Sequence, residues 1–143
     1  MNVKTLALGP VSANCYIVCS SDGVGAVVDP GDYNTTLEKA IIESGIKELK
    51  YIICTHAHFD HVSGVGRLKE KYPEATVVAG VEDAASLNNP LLSAAAAFGL
   101  PFYPCHADKT VGEGDELNVG EYTFKVISTP GHTPGGIILY CEE

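Results

Sequence analysis

The stretch Tyr51-Ile52-Ile53-Cys54-Thr55-His56-Ala57-His58-Phe59-Asp60-His61 runs from an apolar segment straight into a cluster of metal-ligating side-chain types. Four apolar residues ending at a polar turn predict a buried strand that delivers a loop. Residues two apart on extended chain point the same way, so His56 and His58 can converge on one ion. Asp60 and His61 fall where the chain turns into a helix and can face a neighbouring position. Three imidazoles and one carboxylate within six residues supply the nitrogen and oxygen donors that zinc takes. The competing reading is a polar loop with incidental histidines; the density of donors argues against it.

A second stretch lies downstream, Thr129-Pro130-Gly131-His132-Thr133-Pro134-Gly135-Gly136. Pro130 and Pro134 stiffen the backbone, Gly131 permits a sharp turn, and His132 is held between them. A loop histidine taken alone defaults to a structural role. Beside the first motif it becomes the natural third ligand.

Together these stretches resemble the metallo-β-lactamase superfamily, in particular its glyoxalase II-like hydrolases. The first matches the family's H-x-H-x-D-H loop and the second its P-G-H-T-P-G loop. Gly9-Pro10, Asn14-Cys15-Tyr16 and Val28-Asp29-Pro30-Gly31 extend the likeness along the chain in the family's order. The resemblance implies an α/β fold, a metallo-β-lactamase-like αβ/βα sandwich, over a single domain spanning 1–143. It implies that His56, His58 and His132 hold a first zinc, and that Asp60 and His61 contribute to a second metal position. Metal-activated water would attack a carbonyl carbon, with Asp60 as the catalytic residue that orients it. Histidine rather than glutamate at position 58 favours the hydrolase branch over the di-iron flavoprotein branch.

The sequence reaches Glu143 directly after the apolar run Ile137 to Cys141. Family members continue into a strand ending in a metal-bridging aspartate, and later a last histidine. The expectation is therefore a truncated domain, incomplete at its C-terminus, that binds nearer one zinc than the two of a complete family site. An exposed apolar edge in the second sheet would favour a homo-oligomer. The leading function is hydrolysis of a thioester or related small-molecule acyl compound. The alternatives are a metal-binding fragment with little catalysis and an iron-dependent persulfide dioxygenase.

Composition narrows the classes further. A length of 143 residues fits one domain, and 45% hydrophobic residues suffice for a core. The net charge of −9 argues against nucleic acid and against an anionic membrane surface as partners. No bilayer-length apolar run and no signal-peptide pattern occur in the sequence, which predicts a cytoplasmic protein. Five cysteines at irregular spacing, without CxxC, predict reduced, mostly buried thiols rather than a disulfide framework. Cys105-His106 reads as an ordinary loop and Cys54 as strand core. Asp29 is read two ways, as a hydrogen-bonding support for a ligand loop or as a turn residue before Pro30.

Strands are predicted at Val3–Leu8, Cys15–Cys19, Ala26–Val28, Tyr51–Cys54, Thr76–Ala79, Tyr122–Ile127 and Ile137–Cys141. A helix is predicted with Thr35 as N-cap, Glu38 closing the capping box and Gly45 at its end. A second helix is predicted from about His61 to Tyr72, ended by Pro73. Two short helical pieces are expected between Val81 and Phe98, broken at Asn88-Asn89-Pro90.

Overall fold

The computed structural model describes residues 1–142. Strands β1 (Asn2–Leu8), β2 (Ala13–Cys19) and β3 (Val24–Val28) precede helix α1 (Thr35–Glu43) and strand β4 (Glu48–Cys54). Helices α2 (Phe59–Val62) and α3 (Val65–Lys71) follow, then β5 (Thr76–Gly80), β6 (Lys109–Val111), β7 (Glu116–Val119), β8 (Tyr122–Ser128) and β9 (Ile137–Tyr140). Strands β1 to β6 form one sheet in sequence order, antiparallel from β1 to β3 and parallel from β3 to β6. Strands β7, β8 and β9 form a separate antiparallel meander.

Side-chain alternation explains how the layers stack. Ile17, Val27, Ile52 and Val77 face one side of the large sheet and pack against Leu37, Ile41 and Leu68 of the helices. Their neighbours Val18, Val28, Ile53 and Val78 face the other side and meet Leu117, Phe124 and Val126 of the meander. The order helices, large sheet, small sheet supplies three of the four layers of the expected αβ/βα sandwich, in keeping with a domain incomplete at its C-terminus. Strand β9 pairs with β8 along one edge, and its Ile138 and Tyr140 are half exposed. Among the described residues no helix is long and apolar enough to cross a membrane.

Several boundaries differ from expectation. Asn34, not Thr35, caps α1, because its Oδ1 accepts the Leu37 amide at 3.0 Å. Glu38 pairs with the Tyr33 hydroxyl instead of reaching back to the cap. Ser44 ends the helix, and Gly45 follows with φ +79°. The helix predicted from His61 to Tyr72 is two helices. Its ladder breaks at Ser63-Gly64, where the Gly64 amide donates to the Pro30 carbonyl at 2.8 Å. The two pieces after β5 exist as short 3-10 segments, Val81–Asn88 and Ala96–Phe98. Strands β6 and β7 form where the sequence pattern marks none, and β9 ends before Cys141.

Candidate metal centre

Two loops from different sheets meet at the site. The loop after β4 carries His56 and His58, and the loop between β8 and β9 carries His132. The Ile137 amide donates to the Thr55 carbonyl at 2.8 Å, fastening one loop to the other. Within the second loop, the Gly131 amide donates to the Thr133 carbonyl at 3.0 Å and holds His132 at the tip. The His56 ring lies 5.1 Å from that of His58 and 5.0 Å from that of His132, centroid to centroid. One ring nitrogen from each of the three falls within 4.8 Å of the others.

This donor set fits a divalent cation. His58 Nδ1 and His132 Nε2 approach to 3.0 Å, a spacing in which a proton or a cation must lie between two lone pairs. Burial, reinforced by the neighbouring His61, lowers the pKa of His56 and favours the neutral, ligating imidazole. Three imidazoles suit zinc and equally suit iron.

Asp29 organises the neighbouring ground. It is buried and left-handed (φ 53°), a conformation aspartate tolerates better than most residues. It accepts hydrogen bonds from the Thr55 amide at 2.7 Å, the Thr55 hydroxyl at 2.6 Å and His61 Nδ1 at 3.0 Å. Asp29 is thus a support for the ligand loop and not merely a turn residue. Its hydrogen bond to His61 raises that imidazole's pKa against the opposing effect of burial. His61 then turns Nε2 towards Asp60, 3.4 Å from Oδ2. Asp60 belongs to neither cluster of three potential ligands. The second cluster is Asp29, His56 and His61, which shares His56 with the first. A groove of about 800 Å³ opens beside Asp60 and His61, with Tyr16, Phe124 and Ile138 among its walls.

Asp83 belongs to no motif of the sequence. This carboxylate is 2% exposed and accepts from the Ala57 amide, the Thr133 hydroxyl and the Gly135 amide. Its local signal is weak: Glu82-Asp83 opens a 3-10 segment and reads as ordinary acid at a helix start. Cys105 behaves as expected of an ordinary loop residue. It is buried, and burial pushes its thiol up to about 11, so it offers no thiolate beside exposed His106. Burial holds Cys54 well above the ordinary thiol range, in keeping with its place in the strand core.

The Metallo-beta-lactamase superfamily model matches residues 8–143. The chain belongs to this metallo-hydrolase superfamily. Among curated relatives it is 29% identical over its whole length to the probable metallo-hydrolase YqgX of Bacillus subtilis, covering 67% of that protein. It is 36% identical over 88% of its length to the hydroxyacylglutathione hydrolase of Brucella ovis, covering 46% of that enzyme. Among solved structures, TTHA1623 in a di-iron-bound form superposes with a TM-score of 0.81 at 33% identity, over 96% of this chain and 66% of that one. The chain therefore spans about two thirds of some relatives and under half of others. The helix–sheet–sheet stack is three of the four layers of the superfamily's αβ/βα fold, and the superfamily together with the histidine cluster supports metal binding.

Proposed function

We propose that this chain is the metal-binding part of a thioester hydrolase, with zinc held by His56, His58 and His132. The observation that carries the reading is the convergence of those three rings, one nitrogen each within 4.8 Å, from two different sheets. A divalent ion bound there supplies acidified water and a polarised carbonyl. The remaining work falls to residues of the chain. Asp29 fixes the His61 ring through Nδ1, and His61 in turn faces Asp60. Asp60, partly exposed beside the groove, accepts a hydrogen bond from the attacking water and aims it at the acyl carbon. A C–O bond forms, the C–S bond breaks, and the proton given up by the water goes to the released thiolate, leaving a carboxylic acid and a thiol.

The groove beside Asp60 combines this polar edge with apolar walls, as an acyl substrate requires. Relatives named hydroxyacylglutathione hydrolases point to a hydroxyacyl thioester of glutathione as the first substrate to try. Zinc, which three imidazoles suit, is the first metal to try, and the di-iron relative makes iron the comparison metal. Unpaired cysteines, four of them buried, fit a reducing compartment, and we place the protein in the cytoplasm. The test is hydrolysis of that thioester by protein stripped with chelator and reloaded with zinc or iron(II). Restoration by either metal supports the reading, and the faster metal identifies the cofactor. Equal rates in stripped and reloaded protein would sink it.

A further inference from the structure

Asp83 touches the residue next to every proposed ligand. The Ala57 amide, which donates to its Oδ2 at 3.0 Å, lies between His56 and His58. The Thr133 hydroxyl, which donates to the same oxygen at 2.7 Å, belongs to the residue after His132. The Gly135 amide donates to the other oxygen, Oδ1, at 2.7 Å. One buried carboxylate therefore spans both loops and meets its negative charge with three donors. The loops approach it so closely that a Cβ on Gly135 would stand 2.4 Å from the Asp83 nitrogen. From this geometry we propose that Asp83 is the positioning residue that sets the separation of His56 and His58 from His132, and with it the affinity and coordination geometry of the metal. The inference rests on the three-histidine reading above.

The chemistry demands a carboxylate. A backbone amide, which can only donate, faces each oxygen, Ala57 at Oδ2 and Gly135 at Oδ1, so both oxygens must accept. Asparagine has the same shape but one accepting oxygen. If that oxygen keeps Ala57 and Thr133, the amide NH₂ is driven against the Gly135 N–H, and the His132 loop is pushed away at Gly135. In the reverse orientation the Thr133 hydroxyl can turn to accept from the NH₂, but the Ala57 amide meets a donor and the His56–His58 loop loses its bond. Groups that orient metal ligands typically alter affinity 10–100-fold when changed.

The experiment titrates chelator-stripped protein with zinc and with cobalt(II), reading the dissociation constant and the visible cobalt spectrum. Asp83→Asn should weaken both metals by roughly 10–100-fold and change the intensity of the cobalt bands, which reports coordination geometry. Thr133→Val should move both readouts in the same direction, and Thr133→Ser should restore them. Wild-type affinity and spectrum in Asp83→Asn, even with a lowered melting temperature, would overturn the proposal, since a purely structural role predicts that pattern. If Asp83→Asn does not fold, the Thr133 pair decides: Ser as weak as Val overturns it, and rescue by Ser upholds it. Wild-type protein that binds neither metal would overturn the three-histidine reading and this proposal together. Wild-type binding with an indifferent Asp83→Asn overturns this proposal alone.

Discussion

Two residues two positions apart on one loop, and a third far along the chain, make the histidine cluster. Each is held by its backbone, so truncating one ring removes a donor without remodelling the others. His58→Ala should lose most of the bound metal, because only two imidazoles of the trio remain. His106→Ala should leave metal content unchanged, since His106 is exposed and belongs to neither potential ligand cluster. Metal analysis of the dialysed variants checks both, and equal loss in the two would remove the special status of the trio. The placement of His56, His58 and His61 was legible because they crowd one short stretch after an apolar strand. His132 was legible mainly through the resemblance, as a loop histidine carries no periodic signal. Asp83 was not legible at all. Its three partners are separated from it by 26, 50 and 52 positions, and contacts at that range leave no local pattern.

At the scale of elements, the strands that read clearly are those with long apolar runs, such as Tyr51–Cys54 within β4. Strand β6 has three residues with a single buried side chain, and β7 has four. The first is too short for a period-2 pattern, and the second alternates exposed and buried over only four residues, the least that marks a strand. The break between α2 and α3 was hidden because helical periodicity does not register a tertiary hydrogen bond, here from Gly64 to Pro30. The same region yields a prediction. Gly31 approaches α2 so closely that a Cβ there would sit 1.9 Å from the Asp60 carbonyl oxygen. Gly31→Ala must push the first turn of α2 away, carrying Asp60 and His61 with it. Overpacking of this kind costs about 1–3 kcal/mol, measurable by urea denaturation. Thioester turnover should fall further than zinc affinity, because His56 and His58 precede the displaced turn and His132 is on another sheet. Zinc affinity falling as steeply as turnover would mean that the loop and α2 move as one body.

Across the whole molecule, the candidate ligands staple two sheets that share no strand. His56 and His58 hang from the six-stranded sheet, and His132 hangs from the meander. The sheets are otherwise joined by apolar packing of Val28, Ile53 and Val78 against Leu117, Phe124 and Val126, and by a few loop hydrogen bonds. A ligand that binds the folded state alone stabilises it by about 2.7 kcal/mol when present at 100 times its dissociation constant. For a domain of this size that is roughly a 10 °C rise in melting temperature. The increment requires both loops in place, so it should vanish in His132→Ala while the melting temperature of the stripped protein changes little. Amide exchange sharpens the test. Zinc should slow exchange in β8 and β9 as well as in the loop after β4, because separating the sheets then requires breaking a coordinate bond. Protection confined to residues 55–62 would show that His132 contributes nothing and that the ion is held by the first loop alone.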